Sequence, residues 1–249
     1  MKYKIVSAHQ PNFLPYLGFF DKMKKSDIFV IRDEVQFVKK EFHNRNRIRI
    51  NGNDKDNPQS KWVSVPVYET NGLIKDINIK KDFNHKNKNW NELILHDIKV
   101  NYNKAPFFEN FFCELEKIFD NSEDSLNLLN MKIIKFLAKV FEIKTKIIIA
   151  SELNLKQLKN EKSDPSQDLA DICKALNCNI YLSGIGGKDY LNKNPFIKEG
   201  IKVEFQEYNH PTYKQVFNGF LPNMGAIDAL FCCGKMPKLI PLEIKQIIR

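Results

Sequence analysis

Short apolar blocks separated by polar turns dominate the two ends of the chain, and helical spacing dominates its middle. Residues 3–8 (Tyr-Lys-Ile-Val-Ser-Ala) predict a buried strand that ends at His9-Gln10-Pro11. Tyr16 to Met23 has helical spacing, and Ile28-Phe29-Val30-Ile31 predicts a second strand closing on Arg32-Asp33. Strand, loop, helix and strand make a βαβ unit. A polar loop at 51–60 follows. Trp62 to Val67 alternates like a strand held to an edge or end by Pro66, and Leu73 to Ile79 predicts its hairpin partner, with Asn71-Gly72 as turn.

From 88 to 142 the period becomes helical. Trp90, Leu93, Ile94 and Ile98 lie on one face. Phe107, Phe108, Phe111, Phe112, Leu115, Ile118 and Phe119 form an aromatic stripe, and Leu129, Ile133, Leu137 and Val140 lie on a third helix from about Ser125 to Phe141. The stripe is expected to be helix–helix core. The last third returns to strands at 146–150, 179–183 and 201–205, with a helix from Ser166 to Leu176. The expectation is an α/β fold: a single domain over 1–249, with a Rossmann-like core of mixed or parallel sheet and an inserted helical subdomain at 88–142.

The chain has 249 residues, 43% of them hydrophobic, enough for a substantial core. No apolar run approaches the ~18–20 residues of a membrane span, and the N-terminus has no apolar core of a secretory signal, so a cytoplasmic location is expected. Five cysteines at these spacings predict neither a disulfide framework nor a zinc site. Cys173 shares a helical face with Leu169, Ile172 and Leu176, which predicts a packed thiol. No metal is signalled. The net charge of +9 favours anionic partners, and Lys39, Lys40, His43, Arg45, Arg47 and Arg49 concentrate it in one short stretch. These are donors for phosphate or carboxylate, or the charges of a solvated edge strand.

Candidate chemistry collects at strand ends. His9 follows the first strand, Asp33 the second, and Tyr208-Asn209-His210-Pro211-Thr212-Tyr213-Lys214-Gln215 the last. If those strands are parallel neighbours, both histidine loops open at one sheet edge, where either imidazole could act as a general base. Gly184-Ile185-Gly186-Gly187-Lys188 is neither a Walker A nor a GxGxxG motif, but it is a turn able to offer backbone N–H groups to an anion. Asp228 sits in an otherwise apolar helix and could orient a histidine.

From His9 through Phe20 (His-Gln-Pro-Asn-Phe-Leu-Pro-Tyr-Leu-Gly-Phe-Phe) the sequence resembles the WbqC-like family. The likeness continues through 26–31, Asp33 to Phe37, Asn44-Arg45, Trp62, Tyr102, Ala105-Pro106, Tyr181 to Gly184, Tyr190, Tyr208, His210-Pro211, Tyr213, Gln215 and Asp228 before Gly234. The chain departs from the family pattern at Met224-Gly225-Ala226 and after Lys235. It also bears a remote likeness to a nucleotidylyltransferase core, but has Phe13 and Leu14 where that core carries a second histidine.

The resemblance implies a role around surface-polysaccharide or flagellar glycan synthesis, including O-antigen. It directs attention to His9, Gln10, Asp33, Asn44, Arg45, Tyr208, His210, Gln215 and Asp228. The resulting expectation is a transferase that passes an acyl or aminoacyl group to the amine of a nucleotide-linked sugar. His9 or His210 would be base and Asp33 or Asp228 its orienting acid. Gln10, Asn44, Arg45, Arg47, Gly184, Gly186, Gly187, Tyr190, Tyr208, Tyr213 and Gln215 would bind substrate. The partners expected are a nucleotide sugar and an acyl, acyl-carrier or aminoacyl donor. The rival expectations are a basic RNA-binding or assembly protein and a glycosyltransferase.

Overall fold

The computed structural model describes residues 4–52, 57–68, 70–85, 87–120, 123–153 and 164–237. In chain order the elements are β1 (Ile5–His9), α1 (Leu17–Lys24), β2 (Ile28–Ile31), β3 (Arg45–Ile50), β4 (Gln59–Ser64), β5 (Asn84–His85) and β6 (Lys88–Asn89). There follow α2 (Trp90–Tyr102), α3 (Phe108–Ile118), α4 (Leu126–Val140), β7 (Lys146–Ile149), α5 (Pro165–Ala175), β8 (Ile180–Ser183), α6 (Asn194–Lys198), β9 (Lys202–Phe205) and α7 (Ile227–Cys233). Short 3-10 turns lie at Ile74–Asp76, Ala150–Leu153 and Ile185–Asp189. The chain divides into two compact units. One comprises Met1–Gln10, Phe19–Val35 and Ile143–Tyr208; the other comprises Pro11–Gly18, Gln36–Glu142 and Asn209–Arg249.

The first unit is a five-stranded parallel sheet in the order β7-β2-β1-β8-β9, an α/β core of Rossmann-like type. Its strands are the apolar blocks of the sequence. β2 and β8 are buried at every position, as expected for parallel strands covered on both faces. Tyr3, expected to open the first strand, lies outside the described residues. One core cluster joins Val6, Ala8, Ile28 and Val30 to Ala170, Ile172, Cys173 and Phe196 on the covering helices. Cys173 is the packed thiol that its spacing predicts, and burial raises its pKa. From β1 the chain runs outward through α1 to β2 and β7, then returns to the other side of β1 for β8 and β9. The strand order therefore reverses between β1 and β8. β1 and β9 share this sheet, but β8 lies between them.

In the second unit, Ser125 caps α4 through its side chain, and Asn89 with Glu92 makes a capping box on α2. Most of the aromatic stripe is core: Phe108, Phe112, Leu115 and Phe119 are buried, with Phe108 stacked on Phe112 at 4.5 Å and packed on Phe231 of α7, while Phe107 is exposed and Phe111 and Ile118 half-buried. α7 ends on Gly234, whose φ of 68° suits glycine.

The hairpin is not the one expected. β3 pairs antiparallel with β4, from Arg45 opposite Ser64 to Ile50 opposite Gln59. Strand pairing stops at Ser64, short of Pro66, and 73–79 contributes the 3-10 turn with only isolated bridges around it. Ile74 and Ile77 are both buried, and the tight turn between them satisfies that spacing without a strand.

Two buried amides hold the Pro11–Pro15 segment within this unit. Asn46 donates to the carbonyls of Phe13 and Leu14, and Asn130 to those of Pro11 and His43. Leu14 adopts φ 44°, a left-handed conformation that these contacts fix. A Cβ at Gly225 would stand 3.0 Å from the Leu14 oxygen, so close packing accounts for glycine at that point of the Met224-Gly225-Ala226 departure.

Candidate functional site

The reversal of strand order in the first unit creates the crevice in which open α/β sheets hold ligands, beyond the carboxyl ends of the two strands that flank it. β1 delivers His9 and Gln10 there, and β8 delivers Ser183 and the Gly184–Gly187 turn. His9 Nδ1 lies 3.0 Å from the Gln10 carbonyl oxygen. A carbonyl only accepts, so Nδ1 carries the proton, and the lone pair of the neutral ring is on Nε2. The ring packs edge-on against Phe19 at 4.9 Å.

The three glycines of the turn differ in purpose. At Gly187 a Cβ would collide with Ser183 Oγ, so that hydroxyl would have to turn away. At Gly184 the backbone is ordinary, φ −65° and ψ 161°, and the one heavy atom within 4 Å of a Cβ would be Lys22 Nζ at 3.9 Å. At Gly186 a Cβ would meet nothing within 4 Å. Neither strain nor packing requires glycine at 184 or 186, and both open onto space. Tyr190, at the end of this turn, is largely exposed.

Lys22 was not singled out by sequence reasoning. Its side chain runs from α1 under the sheet end, only 5% exposed, and Nζ donates to the Ala8 carbonyl at 2.9 Å. Burial lowers its pKa to about 7. The signal available was its place in the helix, three residues after Phe19 and beside Met23, on the apolar side of a helix whose neighbours are almost all buried.

Asp33 is also in this unit. Its carboxylate accepts from the backbone N–H of Ser151 at 3.0 Å and the hydroxyl of Ser151 at 2.7 Å, tying the segment after β2 to the turn after β7. Beside it Arg32 pairs with Glu34 and lies 3.7 Å from Asp168. Burial raises the pKa of Glu34 against the opposing pull of Arg32. Tyr208 is the last residue of the first unit, half-buried.

The other expected residues belong to the second unit. Asp228 is fully buried at the start of α7. Its carboxylate accepts from Tyr213 Oη at 2.7 Å, Tyr102 Oη at 2.9 Å and Gln215 Nε2 at 3.0 Å. Desolvation raises its pKa against these bonds and the nearby Arg49 charge. Gln215 also exchanges two hydrogen bonds with the backbone of Leu221. Arg49, 1% exposed, donates to the carbonyls of Gln59 and Asn218, and its own backbone N–H donates to Tyr102 Oη. The three arginines of the basic stretch thus lie on β3, with Lys39, Lys40 and His43 in the turns before it, and Arg49 is not a solvated charge. Tyr102, quoted for the family likeness, and Arg49, read as an anion donor or a solvated charge, belong to this network, and nothing in the sequence joined them to Asp228.

His210 repeats the His9 arrangement: Nδ1 lies 2.9 Å from the Pro211 carbonyl oxygen, leaving Nε2 as the basic nitrogen of the neutral ring. The ring stacks near Tyr213 and Phe220, and burial lowers its pKa. Asn44 pairs through its amide and carbonyl with Val65. Arg45 and Arg47 face Trp62 across the hairpin, their guanidinium carbons 4.3 Å and 5.8 Å from its ring, and Phe42 adds its ring at 5.8 Å. Trp62 itself is 42% exposed, so the face is aromatic, cationic and open.

His43 makes a pH-dependent contribution to this unit. It is 1% exposed, Nδ1 accepts from the Val38 N–H at 3.3 Å, and burial lowers its pKa to about 4. Between about pH 6.5 and 4 the unfolded chain binds the proton and the folded one does not, so stability falls as pH drops through that window. The expected loss is about 2–3 kcal/mol. Denaturant midpoints measured from pH 7 to 4 should show it. His43→Asn, which keeps an acceptor for Val38, should flatten that part of the profile.

Among the described residues no group of three or more His, Cys, Asp or Glu side chains is arranged to hold a metal ion, and no helix is long and apolar enough to cross a membrane. The chain is 27% identical over 240 residues to Uncharacterized protein Rv1507c of Mycobacterium tuberculosis, with 93% of this chain and 94% of that protein covered. No solved structure matches it. The sequence model of the WbqC-like protein family matches residues 10–238, a span that includes four of the five strands of the parallel sheet, all but β1, and the whole buried Asp228 network, and the chain belongs to that family.

Proposed function

We propose that the protein is a transferase acting on a nucleotide-linked amino sugar in surface-polysaccharide or flagellar glycan synthesis, passing an acyl or aminoacyl group to the sugar amine. The observation that carries this reading is His9, a histidine with a defined tautomer at the carboxyl end of the central strand, where the strand order reverses. The open positions at Gly184 and Gly186 leave room beside it for a substrate backbone. The family resemblance supplies the polysaccharide context.

In this reading the sugar amine attacks the carbonyl carbon of the donor. The C–N bond forms, the bond from that carbon to the donor's leaving group breaks, and His9 Nε2 accepts the proton lost by nitrogen. His210, with the same tautomer, is the candidate base of the second unit, and Asp228 acts there as a positioning residue through Tyr213. Asp33 positions backbone through Ser151. Arg45 and Arg47 are the candidate phosphate donors of that second unit.

General-base catalysis contributes about 10²–10⁴-fold. With a panel of nucleotide amino sugars and acyl donors, His9→Ala or His210→Ala should lower kcat by that order and leave the unfolding midpoint near that of the parent. Near-normal turnover in both variants would remove the histidine mechanism.

A second reading has its own observation, the open Arg45–Trp62–Phe42 face, which suits stacking of nucleic-acid bases. It predicts RNA binding that weakens steeply with salt and is lost in Trp62→Ala. Salt-insensitive or absent binding would dispose of it.

A further inference from the structure

Lys22 is an unusual group to find inside a protein. Its ammonium is taken out of water, yet its hydrogen bond goes to a neutral carbonyl, Ala8 O, and the Phe29 ring centroid lies 6.0 Å away. Among the described residues no carboxylate pairs with it. Asp21, next to it on α1, is engaged with Lys25 and Gln206. Arg32, in the same unit, shows the ordinary alternative, a buried cation set between Glu34 and Asp168. A buried charge without a counter-charge costs free energy unless something supplies the missing partner.

The position of the amine says what is missing. Ala8 is in β1 and Gly184 follows β8, so Nζ stands at the carboxyl ends of the two strands between which the order reverses. A Cβ at Gly184 would meet, beyond its own chain neighbours, no heavy atom within 4 Å except this amine at 3.9 Å. The glycine is therefore an opening onto a buried cation, at the one place in the sheet where the topology makes a crevice.

We propose that Lys22 is the counter-charge of an anion site at the ends of β1 and β8, and that its ligand is a phosphate or diphosphate group that reaches the amine past Gly184. This deepens the reading above by naming the charged part of the substrate that this unit holds. It requires neither the sugar nor the transfer step. The same chemistry is offered by free pyrophosphate and by the diphosphate of a nucleotide.

The test uses the full chain with inorganic pyrophosphate and, in parallel, uridine diphosphate, followed by calorimetry. Lys22→Met, of similar length and without charge, should weaken binding of both by ten-fold or more. Gly184→Leu should do the same by filling the approach while keeping the amine. Tighter binding of the nucleotide than of pyrophosphate assigns the site to a nucleotide's diphosphate, and equal binding assigns it to the phosphate group alone; either supports the site. A second readout follows acetylation of Lys22 by acetic anhydride, resolved by peptide mass spectrometry. The amine should react, and pyrophosphate should slow that reaction at Lys22 by several-fold relative to exposed lysines.

A wild-type protein that binds neither anion, a Lys22→Met variant that binds as well as the parent, or labelling indifferent to pyrophosphate would overturn the proposal. Anion binding without turnover of any amino sugar would instead count against the transferase reading and leave this site standing.

Discussion

Asp228→Ala is expected to destabilise the protein by about 3–5 kcal/mol, the cost of leaving a buried charge and its donors without their partner. The carboxylate is enclosed completely, and four groups depend on it: the hydroxyls of Tyr102 and Tyr213, the amide of Gln215 and the charge of Arg49. Removing it strands two phenolic donors and one buried guanidinium together, and the side chain is too central for water to replace it readily. Asp228→Asn keeps the shape and one acceptor but brings two donors of its own into a site already full of donors, so it should cost less than alanine and more than a surface change. Tyr213→Phe removes one bond, at about 1–2 kcal/mol, and Tyr102→Phe removes two, the one donated to Asp228 and the one accepted from the Arg49 N–H, and should cost more. Urea unfolding of the four variants orders them. An alanine variant with an unchanged midpoint would mean that the network carries no stability.

Lys22→Met should move stability in the opposite direction. The folded-state pKa is about 7 where a free lysine has 10.5, and burial is the cause. Above pH 7 the folded protein holds this site neutral while the unfolded chain still binds the proton, so the contribution of Lys22 to stability rises between about pH 7 and 10.5. Below pH 7 both states are protonated, and the full penalty of the buried ammonium is present. A shift of this size corresponds to about 5 kcal/mol, from which losing the bond to the Ala8 carbonyl takes back about 1 kcal/mol. The variant should thus be more stable than the parent at pH 6.5, and the difference should shrink through pH 8 and 9.5. A difference that does not change with pH would show that the buried amine is not the titrating group. The measurement also establishes that Lys22→Met is folded, which the binding experiment needs.

Much of the first unit could be read from the sequence because its signal is local. Ile28-Phe29-Val30-Ile31 is buried throughout and the isoleucines of Lys146-Ile147-Ile148-Ile149 are half-buried at the sheet edge, runs with little to do except lie in a parallel sheet, and His9 marks the end of such a run. The helices were legible from period and caps, as at Ser125. The β3–β4 hairpin was not, because Arg45-Asn46-Arg47-Ile48-Arg49-Ile50 looks solvated until its partner strand is known. Asn46 and Arg49 are buried by tertiary neighbours far away in sequence, Leu14 and Tyr102 among them.

Long-range pairing also hid the composition of the polar clusters. Asp228 could be suspected from its apolar helix, but Tyr102 lies 126 residues away. Lys22 was missed for a different reason: a lysine with a long aliphatic stem fits an amphipathic pattern whether its amine reaches water or turns inward.

The placement of β1 has a consequence for how the chain is made. Its first partner, β2, follows within two dozen residues, but its second, β8, begins at Ile180, and the bond from the Lys4 N–H to Asn179 spans 175 residues. During synthesis one edge of the central strand therefore stays unpaired while the whole intervening stretch from Gln36 to Glu142 emerges. Long-range parallel pairing of this kind closes slowly, and an open apolar edge is prone to join the wrong chain in the meantime. Production of this protein at high rate should favour inclusion bodies over soluble product, and slowing synthesis by lowering the temperature should recover it.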